Sequence, residues 1–437
     1  MLIMISGKRS KALVDLFQRY AYGIEWDLNV SSSACTRLGR VELHRLLPIQ
    51  SRIRRCILND AGQVVYYLHP NDSSLTETGS AADLTGATGQ VMVETPAHYR
   101  KFEAEGTKVR CLISEIELPG FHYVPRYYRS AFEATVERTT NKLSSVRNDT
   151  AEYRGGNNNA AWDLESRTLL GRPATLISLT NFRAYARNRG AGWNCDVYEV
   201  QKAWYWLYAV EYANFNSQLA YNAAPTLAGY KQGGLGDGVT TLASAAWSAW
   251  NSYYPFVQCG HTISLGNRTG TIPYELPAEY GSALTVDVPT YRGLENPFGH
   301  VWSWTDGCKV RIQADDAGGK SEFYVCINPS QFQDSSYDNY LLRGELPRAS
   351  AYIKQMLVGE FGENMPAASG GTGTGSATYF ADYFYTSLPS SGESMRGVLF
   401  GGAATYGANA GLGYSHTYHT ASTAYATIGS RLCFLGT

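Results

Sequence analysis

The chain has 437 residues, with 37 Lys and Arg against 38 Asp and Glu, a formal charge of −1. That near-neutral balance excludes a strongly basic nucleic-acid binder. Only 17% of residues are charged, whereas 32 Tyr, 44 Gly and 9 Trp enrich the chain, a composition for loop-rich surfaces that work through aromatic and hydroxyl groups.

From the amino terminus, Met1–Ser10 has an apolar run too short for a signal-peptide core, with its positive charges after that run, so no export signal is expected. Lys11–Tyr22 has apolar residues at helical spacing, and Arg40–Leu47, Cys56–Leu58 and Val64–Leu68 read as strands around the Asn59–Gly62 turn. Pro70–Gly89 is a Ser/Thr/Gly/Asp cluster and marks a boundary. It separates an N-terminal attachment or oligomerisation module at 1–87 from a second domain at 88–437. Val91–Glu94, Val109–Glu117 and Val124–Arg138 read as strands. Leu179–Asn188 reads as a helix with cap candidates Ser178 and Thr180. Asp196–Asn214 opens on Asp and spaces Val197, Val200, Trp204, Leu207 and Tyr208 as a core helix does. Beyond Tyr221 the pattern is turns and short strands, apart from Ser350–Leu357, and Ser369–Ser376 reads as a flexible linker. No apolar stretch approaches the roughly 20 residues that cross a bilayer as a helix, so no membrane insertion is expected. The eight cysteines stand far apart without Cys-x-x-Cys spacing and are expected as buried free thiols.

Few residues point to chemistry. Gly233–Gly238 lacks the Lys-Ser/Thr of a phosphate loop, and Asp237 is one carboxylate where calcium takes about 6–8 oxygens, so no cofactor or metal is assigned. Gly-x-Ser-x-Gly and His-Glu-x-x-His are both missing, and most histidines stand alone. No catalytic residue is assigned and the protein is not expected to be an enzyme. His416 and His419 lie among Gly, Ser and Thr and are expected as contact residues. Ala403–Thr427 carries no charge and no proline, and combines Tyr406, Tyr414, Tyr418, Tyr425 and the two histidines with small residues and hydroxyls. Tyrosine offers a broad apolar face, a polar tip and few rotors to freeze, which suits binding. The flanks Met395–Gly402 and Ile428–Phe434 read as apolar strands that hold this segment as a displayed patch.

Arg396–Gly402 (RGVLFGG), Pro297–Asp306 (PFGHVWSWTD) and Ile428–Phe434 (IGSRLCF) resemble, in order and spacing, the landmarks of the C-type-lectin-like fold of formylglycine-generating-enzyme type. The helix around Trp204–Ala213 resembles that family's "EWEYA" helix, and Tyr128–Arg138 its "EVT" strand. More narrowly, Gly407–Gly411 (GANAG) and Thr427–Phe434 (TIGSRLCF) resemble scaffold strings of variable proteins of diversity-generating retroelements, above all those of phages infecting gut Bacteroides-type bacteria. The resemblance implies an α+β, loop-rich, C-type-lectin-like domain displaying a hypervariable region at about 403–427. It implies a variable, receptor-facing set of Thr405, Tyr406, Leu412, Tyr414, His416, Tyr418, His419, Thr423 and Tyr425, with Asn409 as scaffold. The function it implies is a phage tail-fibre receptor-binding adhesin at the fibre tip of the virion. Its partners would be a bacterial cell-surface receptor, protein or glycan, and tail-fibre or baseplate proteins reached through the N-terminal module. A homotrimer is expected because weak patches gain about 10²–10⁴ from avidity. Packing around Trp193, Trp204, Trp206, Trp302 and Trp304 would pin the scaffold. The alternatives are a bacterial surface adhesin diversified by a cellular retroelement, and a formylglycine-generating-type or glycan-cleaving enzyme. The single Cys433 near the carboxyl terminus departs from the enzymes' thiol sites.

Overall fold

The computed structural model describes residues 9–436, with side chains described from Val14 onward, so the export-signal reading of positions 1–8 lies outside the described residues. Among these residues, helices of six or more positions are α1 Arg9–Tyr20, α2 Val41–Leu46, α3 Leu179–Arg187, α4 Tyr198–Tyr212 and α5 Ser244–Asn251. The remainder is strands, short 3₁₀ turns and loops. The expected loop-rich α+β class holds, with sheet dominant.

Three larger sheets organise the chain. One joins Thr36–Gly39, Tyr22–Asp27, Lys108–Ser114, His98–Glu105 and His122–Val124. The second runs Trp193–Cys195, Leu432–Leu435, Tyr127–Ser130, Gln90–Thr95, Arg54–Leu58, Val64–His69 and Asp72–Thr76. The third is built on the long strand Trp302–Gln313, paired with Glu393–Gly401, which pairs with Gly411–His416. No helix among the described residues is long and apolar enough to cross a membrane.

The expected boundary at 87/88 does not separate two folded units. Arg54–Leu58 pairs with Gln90–Thr95 along its whole length, and Tyr22–Asp27 pairs with Lys108–Ser114. Gln90–Thr95 is buried at every position, so its backbone groups need a neighbour on each edge, and Arg54–Leu58 supplies one of them. Part of the expected Pro70–Gly89 loop, Asp72–Thr76, is a strand of the same sheet. The expected strand Arg40–Leu47 is instead α2, closed by Leu47 in a left-handed conformation (φ 48°) with buried His44 and Leu47 three residues apart. α5 forms where no helix was expected and buries Trp247 and Trp250, whereas 350–357 holds the strand Ala351–Met356. The glycine run at 369–376 is tied down by bonds from Gly370 N to Tyr352 O (2.8 Å) and from Asn216 Nδ2 to Ser376 O (3.2 Å). The eight cysteines are free, and all but the partly covered Cys35 are buried.

α4 is the centre of the molecule. Every residue in it but Glu199 is buried, as befits a helix apolar nearly all round. Trp206 stacks on Trp26 with centroids 5.6 Å apart, and Trp204 meets Tyr291 edge-on at 5.4 Å. Trp193, Trp302 and Trp304 are buried as well. The charged side chains of α4 are paired: Lys202 with Glu199 and Glu363, and Glu211 with Arg292 at 2.6 Å, while Glu211 also accepts from the Tyr291 hydroxyl at 2.9 Å.

Asp196, expected as the first residue of this helix, lies just before it. The N-cap is Val197, without a side-chain cap, and Asp196 is fully buried against Arg129 at 2.6 Å. The same Arg129 nitrogen donates to Gln201 Oε1 at 2.8 Å, and Gln201 Nε2 donates to Leu412 O at 2.8 Å. Ser303 Oγ donates to Asp196 at 3.1 Å. One ion pair thereby ties the second sheet, α4 and the third sheet together. Removing one partner of a buried pair costs about 3–5 kcal/mol, because the other charge is left without compensation. Urea unfolding of Asp196→Ala is expected to show that loss, and the double variant Asp196→Leu/Arg129→Met a smaller one.

Candidate functional site

The segment chosen from sequence divides into a buried strand and an outer loop. Gly411–His416 lies inside the third sheet, antiparallel to Glu393–Gly401 and parallel to Tyr383–Tyr385. Alternate side chains of a strand point to opposite faces, so Leu412, Tyr414 and His416 share one face and Gly411, Gly413 and Ser415 the other. The glycine face is closed by Asp382. Its Oδ2 accepts from Gly413 N at 2.8 Å, and a Cβ on Gly411 would stand 1.7 Å from its Oδ1. Burial without a neighbouring cation pushes the Asp382 carboxyl well above the usual carboxylate range.

The other face meets aromatic rings. Tyr414 packs on Trp302 (4.6 Å), Tyr406 (5.6 Å) and Tyr383 (5.9 Å). The His416 ring is stacked between Tyr385 and His419, each 4.8 Å away. Leu412, Tyr414 and His416 are therefore 3%, 1% and 5% exposed, which corrects their expected display to solvent. The physical reason is a strand with neighbours on both edges and cover on both faces. Its signal was present as large residues alternating with Gly, Gly and Ser.

The outer loop is more open. Tyr418 and Tyr425 are 42% and 52% exposed, while Thr405, Tyr406, His419 and Thr423 are half-buried around them. His419 packs on Tyr418 at 4.9 Å and on Tyr425 at 5.1 Å, which links the outer rings to the buried ones. Tyr385, 37% exposed and missed in the sequence reading, joins this face by stacking on His416 and lying 6.3 Å from Tyr418. No local pattern marks Tyr385, because parallel pairing across about thirty residues brings it there.

The framework grips this loop by its backbone. The carbonyl of Tyr418 accepts from Arg396 Nη1 (2.6 Å), that of His419 from Gly397 N (2.9 Å) and that of Ala421 from Leu179 N (3.0 Å). The Tyr425 carbonyl accepts from Leu176 N and Ile428 N (both 3.0 Å), and the Thr427 carbonyl from Trp302 N (2.9 Å). None of these bonds uses a side chain of the loop. Ser178 caps α3 as expected, accepting from Asn181 N at 3.2 Å, and so fixes the position of Leu179.

The two histidines are neutral at physiological pH. Burial, then the neighbouring His419, pulls His416 down to about 3, and burial, then Arg396, pulls His419 down to about 4. Among the described residues no group of three or more His, Cys, Asp and Glu is placed to hold a metal. The glycine run at 233–238 leaves the short strand Gln232–Gly233 through turns, with positive φ at Gly233, Gly236 and Gly238.

Solved structures to which the chain is similar include three variants of one protein. The Major Tropism Determinant P3c variant has 11% identity and a TM-score of 0.25, covering 92% of this chain and 88% of that one. The U1 variant has 11% identity and a TM-score of 0.25, covering 81% and 83%. The M1 variant has 12% identity and a TM-score of 0.21, covering 92% and 88%. No protein-family model and no curated protein matches the chain.

The division of the segment has a direct consequence for stability. Tyr414→Ala is expected to cost about 3–5 kcal/mol, as for large buried aromatics, whereas Tyr418→Ala and Tyr425→Ala stay within about 0.5 kcal/mol. Chemical denaturation of the three variants separates the two classes. Acidification is the second test. As pH falls from the ordinary histidine value of about 6.5 toward 3, the unfolded chain takes up the proton that buried His416 refuses, so stability drops by up to about 1.4 kcal/mol per pH unit per such group. His416→Gln is expected to flatten the stability profile by about that slope between pH 4 and 6, measured by denaturation across that range.

Proposed function

We propose that this protein is a receptor-binding adhesin of phage tail-fibre type, with a C-type-lectin-like fold of formylglycine-generating-enzyme type, that presents the loop at 417–427 to a bacterial surface. The observation that carries this reading is the backbone anchoring: Tyr418, His419, Ala421, Tyr425 and Thr427 are each held by a carbonyl, while the tyrosine rings project outward. A side chain whose backbone is held independently of it can be exchanged without loss of the loop's course, which a hypervariable surface requires. Tyrosine adds contact area at low conformational cost.

The displayed set is Tyr418, Tyr425 and Tyr385, rimmed by Thr405, Tyr406, His419 and Thr423. Leu412, Tyr414 and His416 act from beneath, as the packed layer on which those rings rest. The protein acts by binding, without catalysis. Attachment to the tail runs through the N-terminal part, where α1 leaves Val14 and Leu16 exposed. Several copies, as in a homotrimer at the fibre tip, would convert a weak patch into firm attachment.

Binding of fluorescently labelled protein to a panel of bacterial strains, read by flow cytometry, tests the reading. The triple variant Tyr385→Ala/Tyr418→Ala/Tyr425→Ala is expected to lose at least about tenfold in cell binding, since outer aromatic anchors dominate such interfaces, with an unchanged melting temperature. Full binding by a correctly folded triple variant would refute it.

A further inference from the structure

One charge borders the tyrosine face and has no counter-ion. Arg396 stands on the strand Glu393–Gly401, its Cζ 5.6 Å from the Tyr418 ring centroid and its Nη1 donating to Tyr418 O at 2.6 Å. Its Nε is buried without a hydrogen-bond partner. Glu393 on the same strand is taken by Arg311 at 2.7 Å, and among the described residues no carboxylate pairs with Arg396. The stretch 403–427 contributes no charge, and its two histidines are neutral.

Arg396 also borders a cleft of about 270 Å³ between the 420–422 turn, the start of α3 and the loop around Gln333. The cleft's two carboxylates are already satisfied: Arg183 holds Asp306 at 2.5 and 3.0 Å and Asp334 at 2.7 and 2.8 Å. Lys309 is not matched in this way. Its Nζ donates to the carbonyls of Gln333 (2.7 Å) and Ser336 (2.6 Å) and lies 3.8 Å from the Tyr340 ring centroid. Arg183, Lys309 and Arg396 therefore stand against two carboxylates around the cleft, a formal excess of positive charge, and Arg396 is the cation in contact with the tyrosine face.

A partly desolvated guanidinium without a counter-ion gains from an incoming anion, and its planar fork matches a carboxylate. The tyrosine faces beside it offer flat apolar area and hydroxyl tips, which suit the C–H face and hydroxyls of a sugar ring. The cleft is slightly smaller than the roughly 300–1,000 Å³ of drug-sized sites, which suits one residue of a polymer. The geometry points to an acidic glycan as the receptor class, with a sugar ring on Tyr418 and its carboxylate on Arg396. This inference rests on the display reading above and adds the chemistry of the ligand.

The test uses full-length protein, a strain to which it binds, and the surface polysaccharide extracted from that strain, immobilised before and after chemical reduction of its carboxyl groups. Wild-type protein is expected to bind the native extract and to lose at least about tenfold on the reduced extract, on the scale of one charge-assisted contact. A similar loss is expected in about 0.5 M salt, where exposed charges are screened within a few ångström. Arg396→Gln is expected to lose the same factor on the native extract, and Arg396→Lys, which keeps the charge without the fork, to retain part of it. The Lys variant and equal melting temperatures guard against a shifted loop. Equal binding to native and reduced extracts, equal binding by Arg396→Gln, or cell binding abolished by protease with no binding to the extract overturns the acidic-glycan inference and leaves display standing. Absence of binding to every strain by the wild-type protein ends the display reading itself, and this inference with it.

Discussion

The buried pair of Arg129 and Asp196 is the constraint on which the rest of the architecture depends. A carboxylate with no solvent exposure is tolerable only with a cation and hydrogen-bond donors around it, and here these come from separate parts of the chain: Arg129 from one sheet and Ser303 from another. Gln201, on α4, then links the pair to the carbonyl of Leu412. The strand that underlies the exposed tyrosines is thus referenced to the core by a hydrogen bond to its backbone. A change of side chain at Leu412 leaves that bond in place.

The same economy recurs outward. Asp382 closes one face of Gly411–His416 by accepting from Gly413 N, and the framework donors at Arg396, Gly397, Leu179, Leu176 and Trp302 hold the loop carbonyls. Between them lies a continuous run of rings from buried Tyr414 through Trp302 and His416 to His419 and the exposed tyrosines. Rigidity comes from below and from the backbone, which leaves the outermost side chains with little part in holding the loop. Preorganisation of that kind lowers the conformational cost of binding.

α4 was legible because its apolar residues recur at helical spacing over fifteen positions, a signal that burial reinforces. α2 and α5 were not, since six- and eight-residue segments carry too few repeats to distinguish periods. The boundary at 87/88 failed because a polar loop can connect adjacent strands of one sheet as readily as two domains, and pairing partners are not written in local composition. Tyr418 and Tyr425 are exposed, whereas Leu412, Tyr414 and His416 are buried, because the alternation of large and small side chains in Gly411–His416 is a strand period and not a loop composition.

What the sequence by itself determined is the material: a neutral, tyrosine-rich chain with one long apolar helix, apolar strands flanking an uncharged segment, and small residues where backbone must pass close to other groups. These are local properties, fixed by composition and by periodicity along the chain. Which tyrosines face water, that Tyr385 joins them, and that Arg396 stands beside them without a counter-ion were decided only by tertiary structure. Burial and charge pairing are set by neighbours that arrive from distant positions, and the free energy of a ring or a guanidinium depends on those neighbours far more than on its own place in the sequence.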